Sequence, residues 1–230
     1  MRRPDPPDPE KTLAELALEQ PGAARVLRDL RLDYALHGRA TLRAECSRRR
    51  LPLDDVLCEL TRAAESAEGE DETLANWSEC LLGGVVDLLV DHYHRQHLDE
   101  LARLIDIASR VDRAHGEKAS CPKRLVEHLV KIEQGLEEHM QHEEQTIYPQ
   151  IVAGRARSVV LPIQVMCMEH EELARDLDEL RALTCDYSPP DAACRAWREL
   201  YEGMARLDGN LRHHMHLENN VIYRRALQGC

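Results

Sequence analysis

The 230-residue chain contains no phenylalanine, and aromatic residues make up only 3% of it. Its core must therefore be built from Leu, Val, Ile, Ala and Met, side chains that suit helix packing. At 43% hydrophobic residues there are enough of them for a proper core. The eight cysteines, at positions 46, 58, 80, 121, 167, 185, 194 and 230, include no Cys-x-x-Cys pair. That spacing, in a chain of this length, excludes a zinc ribbon and a disulfide framework. No segment approaches ~18 uninterrupted apolar residues, so no membrane span is expected. The opening MRRPDPPDPEK has two arginines but no apolar run behind them, so no secretory signal is expected either, and a reducing cytosol is the expected compartment. Positive charge is scarce: 30 Lys and Arg face 42 Asp and Glu, for a net charge of −12. A surplus of that sign argues against nucleic acid or an anionic membrane surface as a general partner. The short basic stretch CSRRRLP, Cys46 to Pro52, reads as a solvated loop or helix end.

What is present is helical. No segment shows a strand alternation. Residues 1–11, rich in Pro and Asp, are expected to form a disordered tail. Thr12 and Glu15 make a capping box that opens a first short helix. A second follows Pro21, a turn lies at DYALHG, and helices are predicted near 40–49 and 52–67. Residues 12–67 thus read as a small helical N-terminal domain, and the acidic stretch within 68–83 as a linker. Four long helical patterns follow, roughly 84–114, 122–150, 158–184 and 190–227. With short connections they predict an up-down-up-down four-helix bundle over 84–230, so the fold class is all-α.

The apolar stripes of these helices carry histidines. On the second, the stripe runs Leu125, Leu129, Ile132, Leu136, His139, Glu143, Ile147. The fourth repeats it as Leu200, Met204, Leu207, Leu211, His214, Glu218, Ile222, and both end in a His-x-x-x-Glu within HMQHEEQTIY and HMHLENNVIY. A helix brings residues i and i+4 onto one face. The third stripe contains His170, between Met166 and Leu173, and the first contains His94 and His97, between Val90 and Leu101. Burying two carboxylates without partners costs several kcal/mol each. Glu143 and Glu218 among four imidazoles therefore need positive charge between them, which a pair of metal ions supplies. Imidazole and carboxylate ligands suit iron, and also manganese or zinc. A purely structural account would need several independent buried polar sites. His92, His128, His142, His213 and His216 lie off the stripes and read as solvent-facing or rim residues. His97 reads as a second-layer group or an alternative ligand, and Tyr148 and Tyr223 as packing residues.

The stretches HYHRQHLDEL, EEHMQHEEQTIYP, MCMEHEEL and HHMHLENNVIYRRAL resemble the hemerythrin-like domain of the RIC family, proteins for repair of iron centres. Upstream, TLAELALEQPGAARVLRDLRLDY is similar to that family's short N-terminal domain, so the resemblance covers nearly the whole chain. It implies that His94, His139, His170 and His214 are terminal iron ligands and that Glu143 and Glu218 are bridging carboxylates. It also implies two iron ions per chain with an oxo or hydroxo bridge. The implied function is protection or repair of iron–sulfur clusters under nitrosative or oxidative stress, through iron delivery or nitric oxide chemistry. Nitric oxide, O2 or peroxide would be the small ligands, and iron–sulfur proteins the iron acceptors.

One departure bears on that function. The family's N-terminal domain carries Asp-Tyr-Cys-Cys-x-Gly, whereas this chain has Asp33, Tyr34, Ala35, Leu36, His37 and Gly38. A step that needs the cysteine pair loses its thiols here. Cys46 and Cys58 are nearby in sequence, and His37 is either a replacement ligand or a turn residue. The alternative reading is an O2- or iron-binding sensor, carrier or storage module without repair activity; a structural bundle holding zinc or no metal is a third.

Overall fold

A computed structural model of the chain describes residues 6–66 and 80–228. Among them there is no strand, only one isolated bridge between Thr12 and Thr41. Four short helices come first: α1 (Leu13–Glu19), α2 (Ala23–Asp29), α3 (Leu42–Arg49) and α4 (Leu53–Ser66). The long helices follow. α5 begins as Leu82–Leu88, passes through a π-helical turn at Leu89–His94 and continues as Arg95–His115. α6 comprises Leu125–His142, a π turn at Glu143–Ile147 and Tyr148–Val152, and α7 is uninterrupted over Val160–Leu183. α8 comprises Arg195–Leu217, a π turn at Glu218–Ile222 and Tyr223–Gln228. Residue contacts divide the chain into two compact units: residues up to Val85 together with Met215–Arg225, and Val86–His214 together with the chain end from Ala226.

In the first unit the capping box forms as expected. The Thr12 hydroxyl accepts from the Glu15 amide, and the Glu15 carboxylate accepts from the Thr12 amide. The four short helices enclose their own core, built on Leu13, Leu16, Leu27, Leu32, Leu42 and Leu60. Of the expected tail, residues 1–5 lie outside the described residues, while the Lys11 and Pro9 carbonyls accept from the first amides of α3 and Arg43 pairs with Glu10 at 2.5 Å. Of the expected linker 68–83, residues 68–79 lie outside the described residues and Leu82 already belongs to α5.

In the second unit each long helix runs antiparallel to its neighbours. His94 meets Glu143 and Glu144 across α5 and α6, while Val111 and Leu125 line one crevice at their other ends. His128 meets Glu179, and His139 meets Glu169, across α6 and α7. Arg181 meets Asp208, and Asp178 meets Arg212, across α7 and α8. Arg103 meets Glu199, and Glu100 meets Arg206, which brings α8 back to α5. Gly203 allows this last approach: a Cβ there would lie 2.5 Å from Leu104 Cδ2. This is the up-down-up-down bundle that the four helical patterns predict.

Two helices start later than their proline signals suggest. α6 begins at Leu125 rather than 122, behind Arg124 in the left-handed region (φ 64°). α8 begins at Arg195 rather than 190, after Cys185, Asp186 and Tyr187 have all taken positive φ. In both places the chain reverses direction through left-handed residues, and the proline belongs to the reversal.

Candidate metal centre

All six residues selected from the apolar stripes are buried: His94, His139, His170 and His214 are at most 7% exposed, and Glu143 and Glu218 are fully enclosed. The structure brings them together as two groups of four, His94, Glu143, His214, Glu218 and His139, Glu143, His170, Glu218. Within each group one ligand atom per residue lies within 4.8 Å of the others. The two groups share both carboxylates. One Glu143 oxygen, Oε2, lies 3.7 Å from His94 Nε2 and 3.5 Å from His139 Nε2, between the two imidazoles.

The outer nitrogens explain which face each ring presents. His94 Nδ1 is 2.7 Å from Glu144 Oε1, and His139 Nδ1 is 2.7 Å from Glu169 Oε2. An ionised carboxylate only accepts, so Nδ1 carries a proton in both rings and, in the neutral ring, Nε2 keeps its lone pair. His94 Nε2 accordingly makes no hydrogen bond. The His139 imidazole holds the Glu169 carboxyl below the usual carboxylate range, against the opposing effect of burial. Across the second group, His139 Nε2 and His170 Nε2 are 3.1 Å apart. Imidazole nitrogens and carboxylate oxygens converging from four helices, with a carboxylate on the far side of two rings, form the donor set that holds divalent metals. The residues present fit a metal pair.

Local backbone geometry places these groups. His94 closes the π turn of α5, Glu143 opens that of α6 and Glu218 opens that of α8. A π turn inserts one extra residue and often marks a functional site. It also explains where the stripe reading slips: Leu89, not Val90, is the buried residue preceding His94.

Other histidines differ from the sequence expectation. His92 and His142 are exposed as expected, but His128 and His216 are buried and His213 is partly so. Burial pushes the His213 imidazole down to about 4, so it is neutral near pH 7. These three were missed because the helices are enclosed on more than one face, which a single stripe does not capture. His97 is buried and stacks on His214 with centroids 5.2 Å apart, but belongs to neither group of four. Tyr148 and Tyr223 are both buried, and the Tyr148 ring lies 6.0 Å from that of His94.

The DYALHG loop is a turn built on Asp33, whose Oδ1 accepts from the amides of Ala35 and Leu36. His37 is exposed and pairs with Asp33 at 2.9 Å, as a turn residue does, and it belongs to no metal-holding group among the described residues. The loop is held within its unit by the π turn of α8. Asn220 Nδ2 donates to the Tyr34 and Ala35 carbonyls at 3.2 and 3.0 Å, and Asn219 donates to Ala35. Gly38 is required there, since a Cβ would meet Tyr34 O at 2.5 Å and Asn220 Oδ1 at 2.9 Å. The two nearby cysteines sit in different surroundings. Cys46 is enclosed in the core, where burial raises its thiol pKa, and Cys58 is exposed on α4.

Residues 85–226 match the hemerythrin HHE cation binding domain. The chain is 34% identical to the iron-sulfur cluster repair protein YtfE of Pectobacterium carotovorum, over 96% of this chain and 98% of that one. It is 36% identical to YtfE of Musicola paradisiaca, over 96% and 97% of the two chains. It is also 34% identical to a probable iron-sulfur cluster repair protein of Haemophilus influenzae, over 95% and 97%. Among the described residues no helix is long and apolar enough to cross a membrane.

Proposed function

This chain belongs to the hemerythrin HHE cation-binding family and, within it, to the proteins for repair of iron centres, and on that premise we propose that it is a non-haem di-iron protein that protects or repairs iron–sulfur clusters. The observation that carries the proposal is the sharing of Glu143 and Glu218 between two groups of four buried ligands. His94 and His214 would hold one iron and His139 and His170 the other, with both glutamates common to the pair and an oxo or hydroxo bridge completing it. When bound, the pair supplies Lewis acidity and one-electron chemistry toward nitric oxide, O2 or peroxide.

The chain's own groups prepare the site for that role. Glu144 and Glu169 keep the proton on Nδ1 and so present Nε2 inward. The enclosed carboxylates offset the charge of the ions. A groove of about 970 Å³ between α6 and α7, lined in part by Gly135, His139 and His170, gives small molecules and solvent an approach to one side of the centre. We assign residues 12–67 to a small helical domain and 84–230 to the metal-binding domain. The proposed setting is the cytosol, with iron–sulfur proteins as acceptors.

The test uses the iron-loaded chain. It is expected to change its visible spectrum with nitric oxide and to restore activity to a dehydratase whose cluster nitric oxide has damaged. Failure of both assays on fully loaded protein would overturn the proposal. A second reading, an O2- or iron-binding sensor, carrier or store, is favoured by Ala35 and Leu36, which bring no thiol to the DYALHG loop. Reversible spectral change on O2 cycling, without restoration of the damaged enzyme, would select it.

A further inference from the structure

We propose that His128, Asp176 and Glu179 form a peripheral divalent-cation site where α6 packs on α7, distinct from the buried centre. His128 precedes His139 by eleven residues on α6, roughly 16 Å along the helix. Its ring is 8% exposed, although it lies off the main apolar stripe. One ligand atom from each of the three residues lies within 4.8 Å of the other two.

The tautomer of His128 gives the cluster its character. Nε2 is 2.8 Å from the backbone carbonyl of Asp176. A carbonyl only accepts, so Nε2 carries a proton and, in the neutral ring, Nδ1 presents a lone pair. Nδ1 faces Glu179 Oε2 at 3.8 Å, too far for a hydrogen bond. A lone pair and two carboxylates therefore converge. Lys131 takes up part of the negative charge, through Asp176 Oδ1 at 2.5 Å. Lys123, Arg124 and Glu127 line the adjoining cavity, where Arg124 pairs with Glu127, so the ligand set at the cluster itself is one imidazole nitrogen and two carboxylates.

The geometry favours a cation. One imidazole nitrogen and two carboxylates suit Mn2+, Fe2+ or Zn2+, with water filling the remaining positions. Space for water exists: a cavity of about 370 Å³ is lined by His128, Lys131 and Glu179. Asp176 and Lys131 also line the larger groove that reaches His139 and His170. An ion held by these residues would sit beside the route to the buried centre, but its binding does not depend on that centre holding iron.

Mn2+ is the probe of choice, because exposed thiols such as Cys58 and Cys185 favour softer ions. The iron-loaded full chain is titrated with Mn2+ at neutral pH, and free Mn2+ is followed by its magnetic resonance signal. The expected result is one tight Mn2+ per chain, with the iron absorption unchanged. Glu179→Gln, at an exposed position that folding tolerates, and Asp176→Asn are each expected to weaken binding by about tenfold or more. Lys131→Met, which removes the competing cation, is expected to tighten it severalfold. Wild-type binding no tighter than that of the Glu179→Gln variant, or a Lys131→Met variant that binds no better, would overturn the proposal and leave the cluster as ordinary pairing between the two helices.

Discussion

Glu144 and Glu169 are the residues on which the orientation of the centre most depends, although neither belongs to a group of four. Each is 2.7 Å from the Nδ1 of a buried histidine, and each side chain is partly solvent-exposed. Carboxylates in that position fix the tautomer and raise the basicity of the ligating nitrogen. Glu144→Gln and Glu169→Gln are together expected to lower iron affinity about 10–100-fold without unfolding the chain, as read by competition with a chelator. A different kind of dependence operates at Glu45. Hydrogen bonds from Arg48, and then from Arg49, hold its carboxyl below the ordinary value of 4.5. A depressed carboxyl pKa contributes stability that is present above pH 4.5 and lost as pH falls through the folded-state value. Glu45→Gln is therefore expected to cost about 1 kcal/mol at pH 7, the arginines being partly exposed. That difference is expected to shrink on acidification below pH 4.5 in paired denaturant titrations.

At the scale of the element, the π turns are the feature that periodicity could not supply. Stripe counting assumes a constant 3.6 residues per turn, and it put His139, Glu143, His214 and Glu218 on buried faces, since each pair spans one ordinary turn. It slipped by one residue on the uninterrupted α7, where Ala174 rather than Leu173 is buried, and at the π turn of α5, selecting Val90 in place of Leu89. The sequence did carry a trace of this: Ile147 and Tyr148, and again Ile222 and Tyr223, are adjacent buried pairs just beyond a glutamate. Glu144, one position after a ligand and on the outer side of its ring, had no such signal. Nor did the hold that Asn219 and Asn220 exert on the DYALHG loop, because it joins residues more than 180 positions apart. Replacing both asparagines with alanine leaves the carbonyls of Tyr34 and Ala35 without these donors. It is expected to destabilise that loop by about 1–2 kcal/mol, seen as faster amide exchange over residues 34–38.

At the scale of the molecule, helix count, order and antiparallel packing were legible because four long amphipathic patterns joined by short connections have few other ways to bury their faces. The charged network that ties α7 to α8 was not legible. Asp208 is fully enclosed, with Oδ2 2.7 Å from Arg181 Nε and Oδ1 2.7 Å from Arg212 Nε. Burial opposes the charge on both arginines, yet Asp208 more than offsets it and their pKa values stand above the ordinary guanidinium range. Asp208→Ala, which leaves Arg212 to Asp178 and Arg181 to the longer contact with Asp186, is expected to cost about 3 kcal/mol in global unfolding. The same fold holds the metal ligands, so their loading reports on the whole arrangement. The most direct measurement is elemental analysis of anaerobically purified protein beside a His139→Ala, His214→Ala variant. The expected result is about two irons per chain in the wild type, as two four-residue groups sharing their carboxylates require, and loss of that iron in the variant. Little metal in the wild type even after anaerobic reconstitution with Fe2+, or equal iron in both proteins, would contradict the di-iron centre.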